Sequence, residues 1–191
     1  MIDETREKII NATMNLVMDR GYSLTTTKDI AFKAGINECT IFRKFRGKKD
    51  IVLSAMKLPE WKPDLKEEDL AVYTGELESD LIRFSNLYME KVTPKMVKVS
   101  IGLRTPELIG DTAAGIMAVP AIFKNCLTAY FEEMQCLGKI KKADSESLAM
   151  TFLSMNFGFI FLQASFDDQL SPLSKEEYIN ASVRTFIQGI A

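Results

Sequence analysis

No histidine occurs anywhere in the 191 residues. That absence excludes Ser-His-Asp and Cys-His catalytic arrangements and any His-ligated metal site. Cysteine is nearly as scarce: Cys39, Cys126 and Cys136 are the whole set. An odd count at these spacings is neither a disulfide framework nor a zinc pattern. Cys126 and Cys136 fall in one helical stretch, roughly 15 Å apart along its axis, too far to bridge. No phosphate-cradling glycine loop is present, and past residue 58 no stretch alternates polar and apolar residues with the period of a strand. Carboxylate or lysine chemistry stays open in principle, but no constellation points to it. The chain therefore reads as a non-enzyme, with no catalytic residue, no metal and no cofactor expected. Its start, MIDETREK, carries acids and no apolar core of the kind a secretion signal needs. A reducing, cytoplasmic setting is expected.

What is present is unevenly distributed. Hydrophobic residues make up 47% and charged residues 26%, the balance of a soluble globular protein. The formal net charge of -2 hides a polarity. Residues 1–57 hold 11 Lys+Arg against 7 Asp+Glu, or +4, whereas residues 58–191 hold 13 against 19, or -6. A basic head on an acidic body suits a protein that meets nucleic acid at one end.

The head reads as consecutive short helices. Residues 4–20 place Ile9, Ala12 and Leu16, with Ile10, Thr13 and Val17 beside them, on one apolar stripe. Gly21 follows the last turn. Thr26 and Asp29 form a T-x-x-D capping box that opens a second helix with Ile30, Ala31 and Ala34 inward. Gly35 breaks it, and Asn37 caps a third helix from Glu38 to about Phe45. Lys48 or Lys49 opens a fourth. A helix–Gly–helix unit followed at once by cations is how a helix-turn-helix presents a reading helix to the DNA major groove. Glu38, Cys39 and Thr40 occupy the leading edge of that helix. The Thr40 hydroxyl and methyl suit phosphate or a thymine methyl. Arg43, Lys44, Arg46, Lys48 and Lys49 put five cations in seven residues. A merely solvated face is the plainer reading of such a run, and its position directly after the turn favours DNA. Cys39 is read as a small, half-buried side chain, with a redox-active thiolate as the alternative.

Residues 5–57 resemble the DNA-binding domain of the tetracycline-repressor (TetR) family of transcriptional regulators. The resemblance rests on Ile9 and Ala12, Gly21-Tyr22, Thr25-Thr26-Thr27-Lys28-Asp29-Ile30-Ala31, Ala34-Gly35-Ile36, Thr40-Ile41-Phe42, Phe45, and Lys48 with Asp50-Ile51. It implies a homodimer on a palindromic operator in double-stranded DNA, released by a small molecule bound in the C-terminal half. By position it places Thr26 and Thr27 against phosphate, with Lys28 beside them. It places Thr40, Phe42 and Lys44, with Asn37, Glu38, Cys39 and Arg43 around them, on or next to the DNA. Lys48 would meet phosphate at the start of the fourth helix. Phe42 stands where the family usually has Tyr, Cys39 where it has a small residue, and Asn37 where it has Ser. These departures bear on the operator sequence.

The body, residues 58–191, shows helical patterns at about 75–92, 94–104, 107–118, 120–137, 144–166 and 174–190. Leu148–Phe166 carries no formal charge over nineteen residues. Its length would allow a membrane span, but Thr, Ser, Asn, Gly and Gln interrupt it and no cationic or Trp belt flanks it. It is read instead as buried on two sides, one against its own domain and one against a partner subunit, with Ser154 and Gly158 allowing close approach. Phe152, Phe159 and Leu162 from this helix, with Ile179, Val183, Phe186 and Ile190 from the last, would form a four-helix dimer interface. No membrane contact is expected. Met89, Met96, Met117, Phe123, Phe131, Phe152, Met155 and Phe159, with Arg104 and Asn156 as polar groups, are candidates for an apolar or amphipathic effector site. The same residues could simply fill core.

The reading is thus an all-α protein: a three-helix helix-turn-helix domain over residues 1–57 and a helical effector-binding and dimerisation bundle over 58–191. The expected function is a ligand-responsive bacterial regulator, a repressor, with an effector of unknown identity. A helix-turn-helix factor without an effector is the alternative. A helical enzyme whose head resembles a DNA reader by chance is the rival from another class.

Overall fold

The computed structural model describes residues 3–63 and 65–191, so Met1, Ile2 and Asp64 of the sequence division lie outside the described residues. Helices follow one another as α1 (Glu4–Arg20), α2 (Thr27–Ala34), α3 (Glu38–Lys44), α4 (Lys48–Ala55), α5 (Glu67–Leu70), α6 (Leu77–Lys91), α7 (Pro94–Gly102), α8 (Ile109–Cys136), α9 (Ser145–Phe166) and α10 (Lys175–Ile190). The chain forms two compact units: residues 1–63 with 95–116, and residues 64–94 with 117–191. The all-α expectation holds.

The first unit begins with well-capped helices. The Asp3 carboxylate accepts from the Arg6 amide (3.0 Å) at the head of α1. The Thr26 hydroxyl accepts from the Asp29 amide (3.2 Å), and the Asp29 carboxylate accepts from the Thr26 amide (3.1 Å), closing the expected capping box. Such a cap is worth about 1 kcal/mol. Gly35 sits at φ 67°, ψ 36°, a left-handed conformation that side chains with a Cβ resist. It lets the Ile36 amide reach back to the Ala31 carbonyl (3.0 Å) and reverses the chain into α3.

Ile9, Ile10, Met14 and Val17 of α1, Ile30 of α2, Ile41 and Phe45 of the α3 segment, and Ile51, Val52 and Ala55 of α4 are all buried in one cluster. Val99, Leu103 and Leu108 join the same cluster from residues 95–116, which the sequence division at residue 57 does not include. Fully burying each Ile, Leu or Val contributes about 1.5–3 kcal/mol. Gly102 is where this segment meets α1: the Tyr22 amide donates to the Gly102 carbonyl (3.0 Å), and a Cβ on Gly102 would lie 2.5 Å from the Val17 carbonyl oxygen.

The second unit packs α6 against α9 and α10. An aromatic chain ties in α8: Tyr88 to Phe123 (4.5 Å between centroids), Phe123 to Phe152 (6.4 Å), Phe152 to Phe186 (5.3 Å) and Phe186 to Phe131 (5.8 Å). Asp80 is buried here and satisfied, accepting from the Thr74 and Gly75 amides (both 2.8 Å) and the Tyr130 hydroxyl (3.2 Å). The two helices expected at 107–118 and 120–137 are one continuous helix, α8, with Pro120 inside it. Proline removes one helical hydrogen bond and costs about 3 kcal/mol. Burial of Val119, Phe123 and Leu127 around it offsets that cost. α8 and α9 are both long and apolar enough to cross a membrane by length and composition alone. α9 nevertheless buries Phe152, Asn156 and Ile160 within its own unit.

Gly102→Ala is expected to destabilise the first unit by about 1–3 kcal/mol, since the obstacle is backbone and cannot swing aside. Gly110→Ala, whose added Cβ meets nothing within 4 Å, leaves the fold unchanged. Thermal melting of the two variants checks this: equal midpoints would refute the close-approach account.

Candidate nucleic-acid interface

α3 is oriented by what it buries. Ile41 is fully buried and Phe45 is 2% exposed, while Phe42 on the opposite side is 57% exposed. Cys39, Phe42 and Arg43 therefore share the outward face, and Asn37 and Arg46 flank it as exposed residues. The half-buried reading of Cys39 is corrected: its side chain is exposed, because position 39 falls opposite Ile41 on the helix rather than beside it.

The polar residues at the start of α3 are already occupied. The Asn37 side-chain oxygen Oδ1 accepts from the Cys39 amide (2.9 Å) and caps the helix. The Thr27 hydroxyl donates to Glu38 Oε1 (2.6 Å), tying the start of α2 to the start of α3. Thr26 is exposed at its cap and Lys28 is exposed without an ion pair among the described residues; Thr40 is half-buried. The Asp29 carboxyl is held below the usual carboxylate range by its hydrogen bonds from Thr26, and secondarily by Arg20, whose guanidinium lies 2.6 Å away.

The run of five cations divides by partner. Lys44 pairs with Asp3 (3.0 Å), and its carbonyl accepts from Arg6 (2.6 Å). The Lys48 amine donates to the Tyr22 carbonyl (2.7 Å) and sits 3.8 Å from the centre of the Tyr22 ring. Burial lowers its pKa, against the opposing charge of Glu107. The Tyr22 hydroxyl donates to Glu107 (2.5 Å); burial, and secondarily Glu107, pushes that phenol far up. Lys49 pairs with Asp111 (2.7 Å). The side chains of Arg43 and Arg46 are exposed and have no ion pair or hydrogen bond among the described residues. Arg46 thus joins the candidate contacts. Tyr22, Glu107 and Asp111 emerge as the group that holds Lys48 and Lys49.

The candidate effector residues do not gather in one place. Met96 is half-buried and Arg104 exposed, both in the first unit; Met117 is 60% exposed. Met89, Phe123, Phe131, Phe152, Asn156 and Phe159 are buried in the second unit, with Met155 half-buried. The Asn156 amide donates to the Phe152 carbonyl one turn back (2.8 Å). Two hydroxyls in that core, Tyr88 and Ser85, are buried without a hydrogen-bond partner among the described residues. Of the candidate dimer contacts, Phe152, Ile179 and Val183 are at most 1% exposed, and Phe159 and Ile190 are below 10%. They fill the protomer's own core. Phe186 is half-buried and Leu162 is 41% exposed. The outward stripe of α9 is a different set: Met150, Ser154, Phe157 and Phe161.

A capped helix, a left-handed glycine turn and a second helix that carries Arg43, with Arg46 just beyond its end and neither guanidinium paired among the described residues, define a helix-turn-helix DNA-binding protein. Residues 9–55 match the sequence model of the bacterial regulatory proteins, tetR family. Over those residues the chain is similar to the DNA-binding domain of that family. A Bacillus subtilis relative, the uncharacterised HTH-type transcriptional regulator YvkB, is 27% identical over 187 residues, covering 98% of this chain and 97% of the relative. The fold is shared with the regulator FadR from Bacillus subtilis, solved with stearoyl-CoA, at a TM-score of 0.66 and 19% identity over 97% of this chain and 99% of that one. It is shared also with AibR, solved with isovaleryl coenzyme A and operator DNA, at a TM-score of 0.68 and 19% identity over 95% and 97% of the two chains.

Removing Arg46 by an Arg46→Ala change is expected to weaken binding to every duplex and to reduce the slope of log K against log salt by about one. Lys49→Ala, whose amine is committed to Asp111, changes the slope less. Fluorescence anisotropy across a salt series measures both, and equal slopes would overturn the division of the cations.

Proposed function

We propose that this protein is a dimeric, ligand-responsive repressor of the bacterial cytoplasm that holds a palindromic operator and lets go when an amphipathic molecule enters its C-terminal half. Residues 1–57 supply the DNA-reading head and residues 58–191 the effector-binding and dimerisation part. The observation that carries this reading is the outer face of α3, exposed beside two unpaired arginines. Two such helices on one dimer must sit roughly 34–36 Å apart, or a multiple, to enter successive major grooves.

Dimerisation is supported by the exposed stripe of α9. Met150, Ser154, Phe157 and Phe161 recur at helical spacing, carry no charge, and are left uncovered by their own unit. A small, uncharged, self-complementary stripe suits a second copy of the same helix. The effector reading is supported by the buried Tyr88 and Ser85 hydroxyls, one turn apart on α6 among aromatic neighbours. An unpartnered hydroxyl in an apolar core is costly, and an acyl carbonyl oxygen would accept from it. The acyl-coenzyme A ligands of FadR and AibR support an acyl thioester as the effector class. A coupling of about 1–3 kcal/mol between the two sites is enough to shift operator affinity tens-fold.

Selection of bound duplexes from a random pool should return a palindrome, and acyl-CoA esters of graded length should release it; release by none of them overturns the effector class. Tyr88→Phe should raise the melting temperature, because it deletes an unsatisfied buried hydroxyl, while raising the effector concentration for half-release about tenfold. A variant that melts higher yet responds normally would remove Tyr88 from the site. Phe161→Glu should give a monomer by light scattering that keeps its helical spectrum and loses the operator; a stable dimer would refute the α9 interface.

A further inference from the structure

We infer that base readout in this protein rests on a single hydrogen-bonding side chain, Arg43, set among apolar ones, Phe42 and Cys39, so that each operator half-site presents a guanine beside thymines whose methyl groups are read by contact. The inference rests on the DNA-binding reading and goes on to the sequence preference within it.

The argument runs by elimination along the exposed face of α3. At about 100° per residue, positions 39, 42 and 43 fall within one arc of about 100°, opposite the buried Ile41. Four residues of helix rise about 6 Å, enough to span two to three stacked base pairs. Only side chains in that arc, or just before it, can reach base edges there. Glu38 would accept from cytosine, but one of its carboxylate oxygens already takes the Thr27 hydroxyl at 2.6 Å. Asn37 would read adenine in a two-point pair, but its oxygen is used on the Cys39 amide at 2.9 Å. Thr40 is half-buried, on the flank of the arc. The Arg43 guanidinium is exposed and unpaired among the described residues, and its fork matches O6 and N7 of guanine.

What remains on the face is a phenyl ring and a thiol. Phe42 is 57% exposed and has no hydroxyl with which to hold phosphate. Cys39 is exposed at the position one turn earlier. In the major groove the apolar group offered by a base pair is the thymine C5 methyl. Burying a methyl-sized group against Phe42 contributes about 0.8 kcal/mol, or about fourfold in affinity. The neighbouring Arg46 supplies attraction without sequence information.

The test uses the full-length protein and the palindrome recovered by selection. Each thymine of one half-site is replaced in turn by deoxyuridine, which removes only the methyl group. Wild-type affinity should fall about fourfold at one or two positions next to a conserved guanine. In Phe42→Ala that methyl effect should vanish, while the melting temperature stays as in wild type. Arg43→Ala should relax the preference at the guanine by tenfold or more. A selected palindrome indifferent to every thymine methyl, or a methyl effect that survives both Phe42→Ala and Cys39→Ala, overturns the scheme alone. Failure to select any duplex overturns the DNA-binding reading itself, and this scheme with it.

Discussion

The burial of Ile41 and Phe45 is the constraint from which the proposed DNA-reading surface follows. A seven-residue helix is too short to hold its own conformation in water. It exists because its inner side chains complete the cluster built by α1, α2 and α4. Once those two residues are inside, the rotation of the helix is settled and Cys39, Phe42 and Arg43 must face outward. The reading surface is therefore determined by what is not part of it. On the proposed reading, substitutions on the outer face change the preferred sequence without touching the core, and those on the inner face disturb the core first.

The head was largely legible from the residues because its signals are local. The Thr26–Asp29 box, Gly35 and the Asn37 cap each act within a few positions, and the structure reproduces each of them. The cations were legible as a cluster but not as individuals. Lys44 is neutralised by a residue 41 positions away, and Lys49 by contacts 58 or more positions away. Nothing in the run 43–49 distinguishes a paired lysine from an unpaired arginine. For the same reason the Tyr22–Glu107 contact, between residues 85 apart, left no trace in the pattern.

The body was legible as helices and much less so as surfaces. α9 carries apolar side chains on every side, so periodicity cannot tell the face that packs on α6 and α10 from the face that stays outside. Several residues expected at a subunit contact, Phe152, Ile179 and Val183 among them, turned inward. Phe157 and Phe161, at the same helical spacing, turned outward. Pro120 misled in the opposite direction. It reads as a helix start, but buried neighbours on both sides carry α8 through it.

The joining of residues 95–116 to the head has a consequence for how the protein comes into being. Val17 and Tyr22 are sealed by Leu103, Leu108 and the close approach of Gly102. During synthesis the first four helices emerge well before those residues do, and the intervening stretch from 64 to 94 belongs to the other unit. The DNA-reading end is thus first in the gene but is not finished until more than half the polypeptide has left the ribosome. Until then an apolar flank of α1 meets water, and a nascent chain halted before residue 100 would need a chaperone to shield it.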